Sequence, residues 1–269
     1  MKDDFFLTDL RRCVVSRRFA AVVLLIALIS AAGNNDILYA IQTGGGSNIS
    51  SLFELENNLT FDKFKCVLAA VLAALYVGSF VEDREHHYLR YILSRISLQK
   101  YAACRLLTVW LSTVLATVCG FGLMCLTLKL TGVMNFRFTP EANQEYFRFY
   151  SLARSDFAFL YLILLGVNFG MSAAVAAVFG MWLSTFRNER YVAVGGAILS
   201  FYFLYAVSIY FLPGILSFEA IGSSLNQREF LTNTGVVLYH LVYLGLWYAA
   251  AGSIFYHAVN RRWERGQLV

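Results

Sequence analysis

Long apolar segments alternate with shorter polar ones along the whole chain. Six of them approach or exceed the roughly 20 residues that a helix needs to cross a hydrocarbon core of about 30 Å. These segments cover residues 19–38, 64–81, 106–130, 157–183, 192–212 and 236–258. No polar stretch between them is long enough for a soluble domain, so the pattern predicts a single all-α transmembrane domain over residues 1–269.

Residues 1–18 precede the first span with a different pattern. Phe6, Leu10 and Val14 recur every fourth residue, acidic residues come early and arginines come late. This order suits the helix macrodipole and predicts an amphipathic helix in the headgroup layer, with an ordinary charged tail as the alternative. Residues 19–38 are also similar to a signal-peptide core, but the long leader and the later spans favour an uncleaved span.

A dense block of charge separates the second span from the third. It lies outside the hydrocarbon, because a charged side chain at the bilayer centre costs about 2.5–3.5 kcal/mol even on insertion scales. Within it, four apolar residues recur at helical spacing: Leu89, Ile92, Leu93 and Ile96. This predicts a short amphipathic helix at the membrane surface, with a solvated hairpin loop as the alternative. Ser97 is the expected N-cap of a helix that begins near Leu98.

The remaining polar segments predict loops on the other side of the membrane. Residues 33–63 form a polar loop with two glycosylation triplets, Asn48-Ile-Ser50 and Asn58-Leu-Thr60. Thr139-Pro140-Glu141 is typical of a helix start and predicts a short surface helix in the second loop. Residues 215–235 are too short and too polar to cross, and two half-inserted outer helices would suit them.

Basic residues fix the orientation. Fifteen of the 22 lysines and arginines fall at the two termini, in the 82–105 block and in the 187–190 turn. The positive-inside rule makes this side cytoplasmic. The chain is therefore expected in the plasma membrane, which in a bacterium is the cytoplasmic membrane, with both termini inside.

The fourth span carries small residues at a spacing that permits close helix contact. They are Gly166, Gly170 and Ala174, with Asn168 among them at mid-depth. Helix packing is the expected role of these four residues, and substrate contact by Asn168 is the alternative. His240, in the sixth span, is expected to be a hydrogen-bonded packing residue, with a proton relay as the alternative.

Several kinds of chemistry find no support in the sequence. The chain is 58% hydrophobic and only 14% charged, and its five cysteines show no metal-binding spacing. It contains no phosphate-binding loop, no H-E-x-x-H and no G-x-S-x-G. The spans hold almost no ionisable residues, which disfavours an ion-driven carrier. We therefore expect neither an enzyme nor a cofactor or metal site, and any energy has to come from a partner at the basic side.

The layout resembles the membrane (permease) subunit of a type-2 ATP-binding-cassette (ABC) exporter. The resemblance covers the whole chain, and its most telling part is the charged block. Family features have matching residues here: Phe80, Asp83 or Glu82, Leu89, Leu93, Arg95, Ser97, Tyr101 and Arg105. Two positions depart from the family pattern, because His87 stands where glycine is frequent and Ile96 where proline is frequent.

The resemblance implies a mechanism. Two permease subunits, identical or homologous, would pair in the lipid bilayer above two ABC ATPase subunits that hold ATP and magnesium. The helix after span two would couple them through Glu82, Asp83, Arg84, Glu85, Arg90 and Arg95. The cargo would be an amphipathic or hydrophobic peptide, antibiotic or lipid-like molecule. The alternative is a non-transporting anchor or sensor subunit that recruits a cytoplasmic partner, and an enzyme of lipid chemistry is ranked last.

Overall fold

The structure, a computed structural model, describes residues 5–33, 37, 39, 42, 47–61, 64–136, 156–212, 216–218 and 233–266. These residues are helical almost throughout. The helices are α1 (Phe5–Val14), α2 (Arg17–Ala32), α3 (Ser51–Phe61), α4 (Phe64–Tyr76), α5 (Ser79–Glu85), α6 (Tyr88–Leu93), α7 (Leu98–Leu130), α8 (Ala158–Phe186), α9 (Arg190–Phe211) and α10 (Asn233–Glu264). Two short strands, β1 (Ser47–Ser50) and β2 (Met134–Asn135), pair in parallel.

Among the described residues, five helical segments are long and apolar enough to cross a membrane, as in a multi-pass membrane protein. They are Phe64–Glu85, Leu98–Leu130, Ala158–Phe186, Arg190–Phe211 and Val237–Glu264. Each contains most of a span expected from hydropathy, since an apolar run of this length has few other stable environments. Leu98–Leu130 differs most from its prediction, because α7 begins eight residues before the start expected for the third span.

The first predicted span is shorter than expected. Helix α2 has 16 residues and ends at Ala32, and it passes as a span only together with α1, from which it is bent by 52°. The bend lies at Ser16, whose hydroxyl accepts a hydrogen bond from the Phe19 N–H at 3.0 Å and starts α2 as a new helix. The six-span arrangement is therefore reached only when the bent pair counts as one crossing.

Helix α8 lies at the centre of the bundle and packs against α7, α9 and α10. Its contact with α7 is close at two glycines. A β-carbon at Gly166 would lie 2.6 Å from Val118 Cγ2, and one at Gly170 would lie 2.8 Å from Val114 Cα. Asn168, between them, is buried, and its Nδ2 lies 3.1 Å from His240 Nδ1 on α10. Ala174 is fully buried on the same helix.

The segment expected to be the first polar loop contains a buried helix. Leu52, Leu55 and Leu59 of α3 lie in the core, and β1 before it pairs with β2 after α7. This corrects the predicted 33–63 loop at residues 51–61. The second glycosylation triplet is not accessible, because Asn58 is 5% exposed and donates to the Ser30 carbonyl at 2.7 Å.

Two further predictions fall largely on residues that the structure does not describe. The short helix expected after Thr139 lies outside the described residues. The half-inserted helices expected over 215–235 do as well, apart from residues 216–218 and 233–235. Both stay predictions.

Candidate functional site: a charged turn at the helix ends

The charged block forms two short helices rather than one. Helix α5 continues α4 to Glu85, the chain turns at residues 86–87, and α6 covers only Tyr88–Leu93. His87 has φ = 56°, and no other non-glycine residue in the described part of the chain has positive φ. This left-handed conformation suits glycine and ends a helix, which explains why the predicted amphipathic helix over 82–96 is interrupted.

The apolar stripe of the block has the orientation that its spacing indicates. Leu89 is buried, and Ile92, Leu93 and Ile96 pack against the core. The predicted N-cap is confirmed, since Ser97 Oγ accepts a hydrogen bond from the Lys100 N–H at 3.3 Å. The apolar side of the block therefore packs against the core, and Ser97 at its end caps the start of α7.

A buried ion network lies directly behind this block. Arg105, on α7, is 1% exposed, and its Nη1 donates to Asp9 Oδ1 of α1 at 2.7 Å. Its Nη2 donates to Asp83 Oδ2 of α5, and Tyr101 Oη donates to the same oxygen at 2.8 Å. Tyr76 Oη, from α4, contacts both Arg105 Nη1 and Asp9 Oδ1. One arginine thus joins the N-terminal helix, the second span and the third span.

The network was only partly visible in the sequence. Tyr101 and Arg105 were recognised as family-like positions, but the pairing of Arg105 with Asp9 was not expected. Asp9 is one of the early acidic residues of the predicted amphipathic helix, and in the structure it is buried and faces α7. One signal was available: Arg105 lies two turns inside a long helix of otherwise apolar character, where a cation needs an acidic partner.

Glu82 is the centre of a second, half-exposed cluster. Its carboxylate lies 2.8 Å from Arg18 Nη1, 3.4 Å from Arg190 Nη1 and 3.7 Å from Arg12 Nη2. Arg190, the first residue of α9, also donates to Glu85 Oε2 at 2.8 Å. These pairs connect α5 to α1, α2 and α9.

Arg84 completes the turn by binding the end of α8. Its Nη1 donates to the Ser184 carbonyl at 3.1 Å and lies 3.5 Å from the Thr185 carbonyl. The last carbonyls of a helix have no partner within it and carry partial negative charge, so a cation there is favourable. Arg262 of α10 stacks 4.7 Å from the Phe186 ring at the same helix end.

The six predicted coupling residues differ in exposure. Glu85, Arg90 and Arg95 are exposed, Glu82 and Arg84 are partly buried, and Asp83 is 1% exposed. In this structure Asp83 therefore offers no surface to another protein and instead holds Arg105. Two exposed aromatics outside the predicted coupling set, Tyr88 and Tyr91, lie close to Arg90 in sequence. We name the exposed surface of residues 85–95 the tip.

The described residues contain no group of three or more metal-binding side chains. Comparison with known proteins gives no identification either. No protein-family model matches the chain, and no curated protein matches it significantly.

Proposed function

We propose that the chain is the permease subunit of an ABC exporter and that the tip receives force from a separate ATPase. The observation that supports this is that one helical turn makes polar contacts with five other helices. Residues 82–85 are bonded to α1, α2, α7, α8 and α9, while the tip that follows them is exposed. A surface element joined to so many helix ends suits the transfer of motion into the bundle.

The transfer would depend on the buried network. Removing one partner from a buried ion pair leaves an uncompensated charge, so such pairs resist separation. A displacement of the tip would therefore move Asp83, Arg105 and the start of α7 together. Arg84 would carry the same displacement to the end of α8, and Arg190 would carry it to the start of α9.

Partners and cargo follow from the same proposal. Two copies of a cytoplasmic ATPase, with ATP and magnesium, would bind beneath two permease subunits. Helices α9 and α10 expose large apolar side chains such as Phe203, Tyr210 and Leu246, which lipid, a second subunit or an apolar cargo would cover. The basic helix ends would face the cytoplasm, as the positive-inside rule requires, so both termini would lie inside.

Purification of the tagged chain from its native cells tests the proposal. We expect an ABC ATPase to co-purify and to hydrolyse ATP faster with the permease than alone. Recovery of a different soluble partner, with no ATPase and no ATP-dependent transport in reconstituted vesicles, would support the anchor or sensor alternative instead.

A further inference from the structure

A cavity of about 570 Å³ opens at the bend between α1 and α2. Its other walls are the end of α4, the start of α5 and the start of α9. Ligand sites in proteins have volumes of about 300–1,000 Å³, so the space is large enough for more than a single ion. The residues that line it are Arg12, Cys13, Ser16, Arg17, Arg18, Ala74, Leu75, Tyr76, Gly78, Ser79, Glu82, Arg190 and Val194.

The lining carries an excess of positive charge. Four arginines face the cavity against one carboxylate, that of Glu82, which is already shared among three of them. The fourth, Arg17, is exposed and has no ion pair within the part of the chain that the structure describes. Arg190 also pairs with Glu85, which lies outside the lining, so two carboxylates compensate four guanidinium groups. The remaining positive charge means that the cavity favours an anion.

Two further features supply hydrogen-bond donors. Arg17 and Arg18 are the first residues of α2, where backbone N–H groups have no partner within the helix. Ser79 lines the cavity, is 6% exposed, and has a hydroxyl without a hydrogen-bond partner among the described residues. Arginine forks, helix N–H groups and a hydroxyl are the donors that bind phosphate oxygens.

Part of the wall is apolar. Ala74 and Leu75, near the end of α4, and Val194, in the second turn of α9, line the cavity. A site that combines basic and apolar lining residues, at the ends of helices long and apolar enough to cross a membrane, matches a lipid with a phosphate headgroup better than it matches a soluble anion.

We infer that this cavity binds the phosphate headgroup of an anionic phospholipid, with Arg17 as a principal contact. The lipid would hold the bend between α1 and α2 against α4 and α9. The inference does not rest on a transport role, because it needs only the bundle and its lipid surroundings.

The test uses the purified full chain in a neutral detergent and measures the melting temperature. Short-chain phosphatidylglycerol should raise it, whereas phosphatidylcholine of equal chain length and inorganic phosphate at equal concentration should not. Arg17→Gln should remove most of the phosphatidylglycerol shift. Arg11→Gln is the matched control, since Arg11 is an exposed arginine of α1 that does not line the cavity.

Two outcomes would overturn the inference. Equal phosphatidylglycerol shifts in the Arg17→Gln and Arg11→Gln variants would show that the lipid acts elsewhere. An equal shift from inorganic phosphate alone would show an anion site that does not require a lipid. A second measurement, lipid retention by native mass spectrometry, should rank the two variants in the same order and does not depend on melting.

Discussion

Arg105 of α7 and Asp83 of α5 form an ion pair in which each residue is 1% exposed. The pair joins the third span to the last turn of the helix that continues the second span. Asp9 shares the same guanidinium from the N-terminal helix, so two carboxylates compensate one arginine. The three charges compensate one another only because the fold brings them together. Removing the arginine leaves both carboxylates buried without a partner of opposite charge.

Arg105→Gln should destabilise the chain strongly. The substitution leaves Asp9 and Asp83 buried without a cation, and breaking a buried pair by removing one partner costs about 3–5 kcal/mol. We expect a lower melting temperature in detergent and a smaller monodisperse fraction on size-exclusion chromatography. Arg95→Gln, at an exposed arginine of the same charged block, should leave both measurements unchanged.

A neutral triple variant separates charge from shape in this network. Asp9→Asn, Asp83→Asn and Arg105→Gln together remove all three charges while keeping groups that can form hydrogen bonds. If uncompensated charge causes the loss, the triple variant should recover much of the stability that Arg105→Gln loses. A triple variant no more stable than Arg105→Gln would mean that the arginine acts through its packing.

Charge reversal at the tip should weaken ATPase binding without unfolding the chain. Arg90→Glu with Arg95→Glu changes two exposed residues that make no ion pair within the described part of the chain. We expect about tenfold weaker binding of the ATPase, equivalent to about 1.4 kcal/mol, and loss of ATPase stimulation. Asp83→Lys is unsuitable for this purpose, because it would bury a lysine against Arg105.

The control for the tip variant makes the same change in charge at the same end of the bundle. Arg261→Glu with Arg265→Glu alters two exposed arginines at the end of α10 and after it. Equal weakening by both double variants would indicate a general electrostatic effect. It would remove the tip from its proposed role as the specific contact.

Gly170→Ala should disturb the contact between α8 and α7. A β-carbon there would lie 2.8 Å from the Val114 Cα, and backbone cannot rotate away as a side chain can. Overpacking of this kind costs about 1–3 kcal/mol, which should lower the melting temperature. At Gly195 of α9 an added β-carbon meets nothing within 4 Å, so Gly195→Ala should be neutral or slightly stabilising.

Hydropathy predicted the five long helices because the transfer of a helix into lipid depends on the side chains of that one segment. The N-terminal helix and the first span were predicted as separate segments that meet near residue 18, and the structure places the break at Ser16. The 52° bend between them was not predicted, since a sequence pattern does not give the angle between two helices. Ser97 was predicted as a cap because capping depends on the hydroxyl and the next three residues alone.

The pairing of residues far apart in sequence could not be derived in the same way. Asp9 and Arg105 are 96 positions apart, and the sequence does not indicate which acidic residues Arg105 pairs with. The same limit applies to α3, whose acidic residues suggested a polar loop although the helix is buried. Glu54 and Glu56 are both buried there, which only the tertiary arrangement reveals.

Glu56 should make the stability of the chain depend on pH. The residue is 0% exposed, its Oε2 accepts a hydrogen bond from Tyr161, and its Oε1 has no hydrogen-bond partner among the described residues. Burial raises the pKa of Glu56 well above its ordinary value. The folded state therefore keeps the proton at pH values where the unfolded chain, with a glutamate pKa of about 4.3, has released it.

The sign follows from proton linkage. The folded state binds more protons than the unfolded state between the two pKa values, so the contribution of Glu56 to stability is fully present below about pH 4.3. It decreases by up to about 1.4 kcal/mol per pH unit as the pH rises toward the raised pKa. Glu56→Gln mimics the protonated group and should flatten this decrease, measured as the change in melting temperature between pH 5 and pH 8. Glu264→Gln, at an exposed position, should keep the wild-type dependence, and an unchanged slope in Glu56→Gln would assign the dependence to other groups.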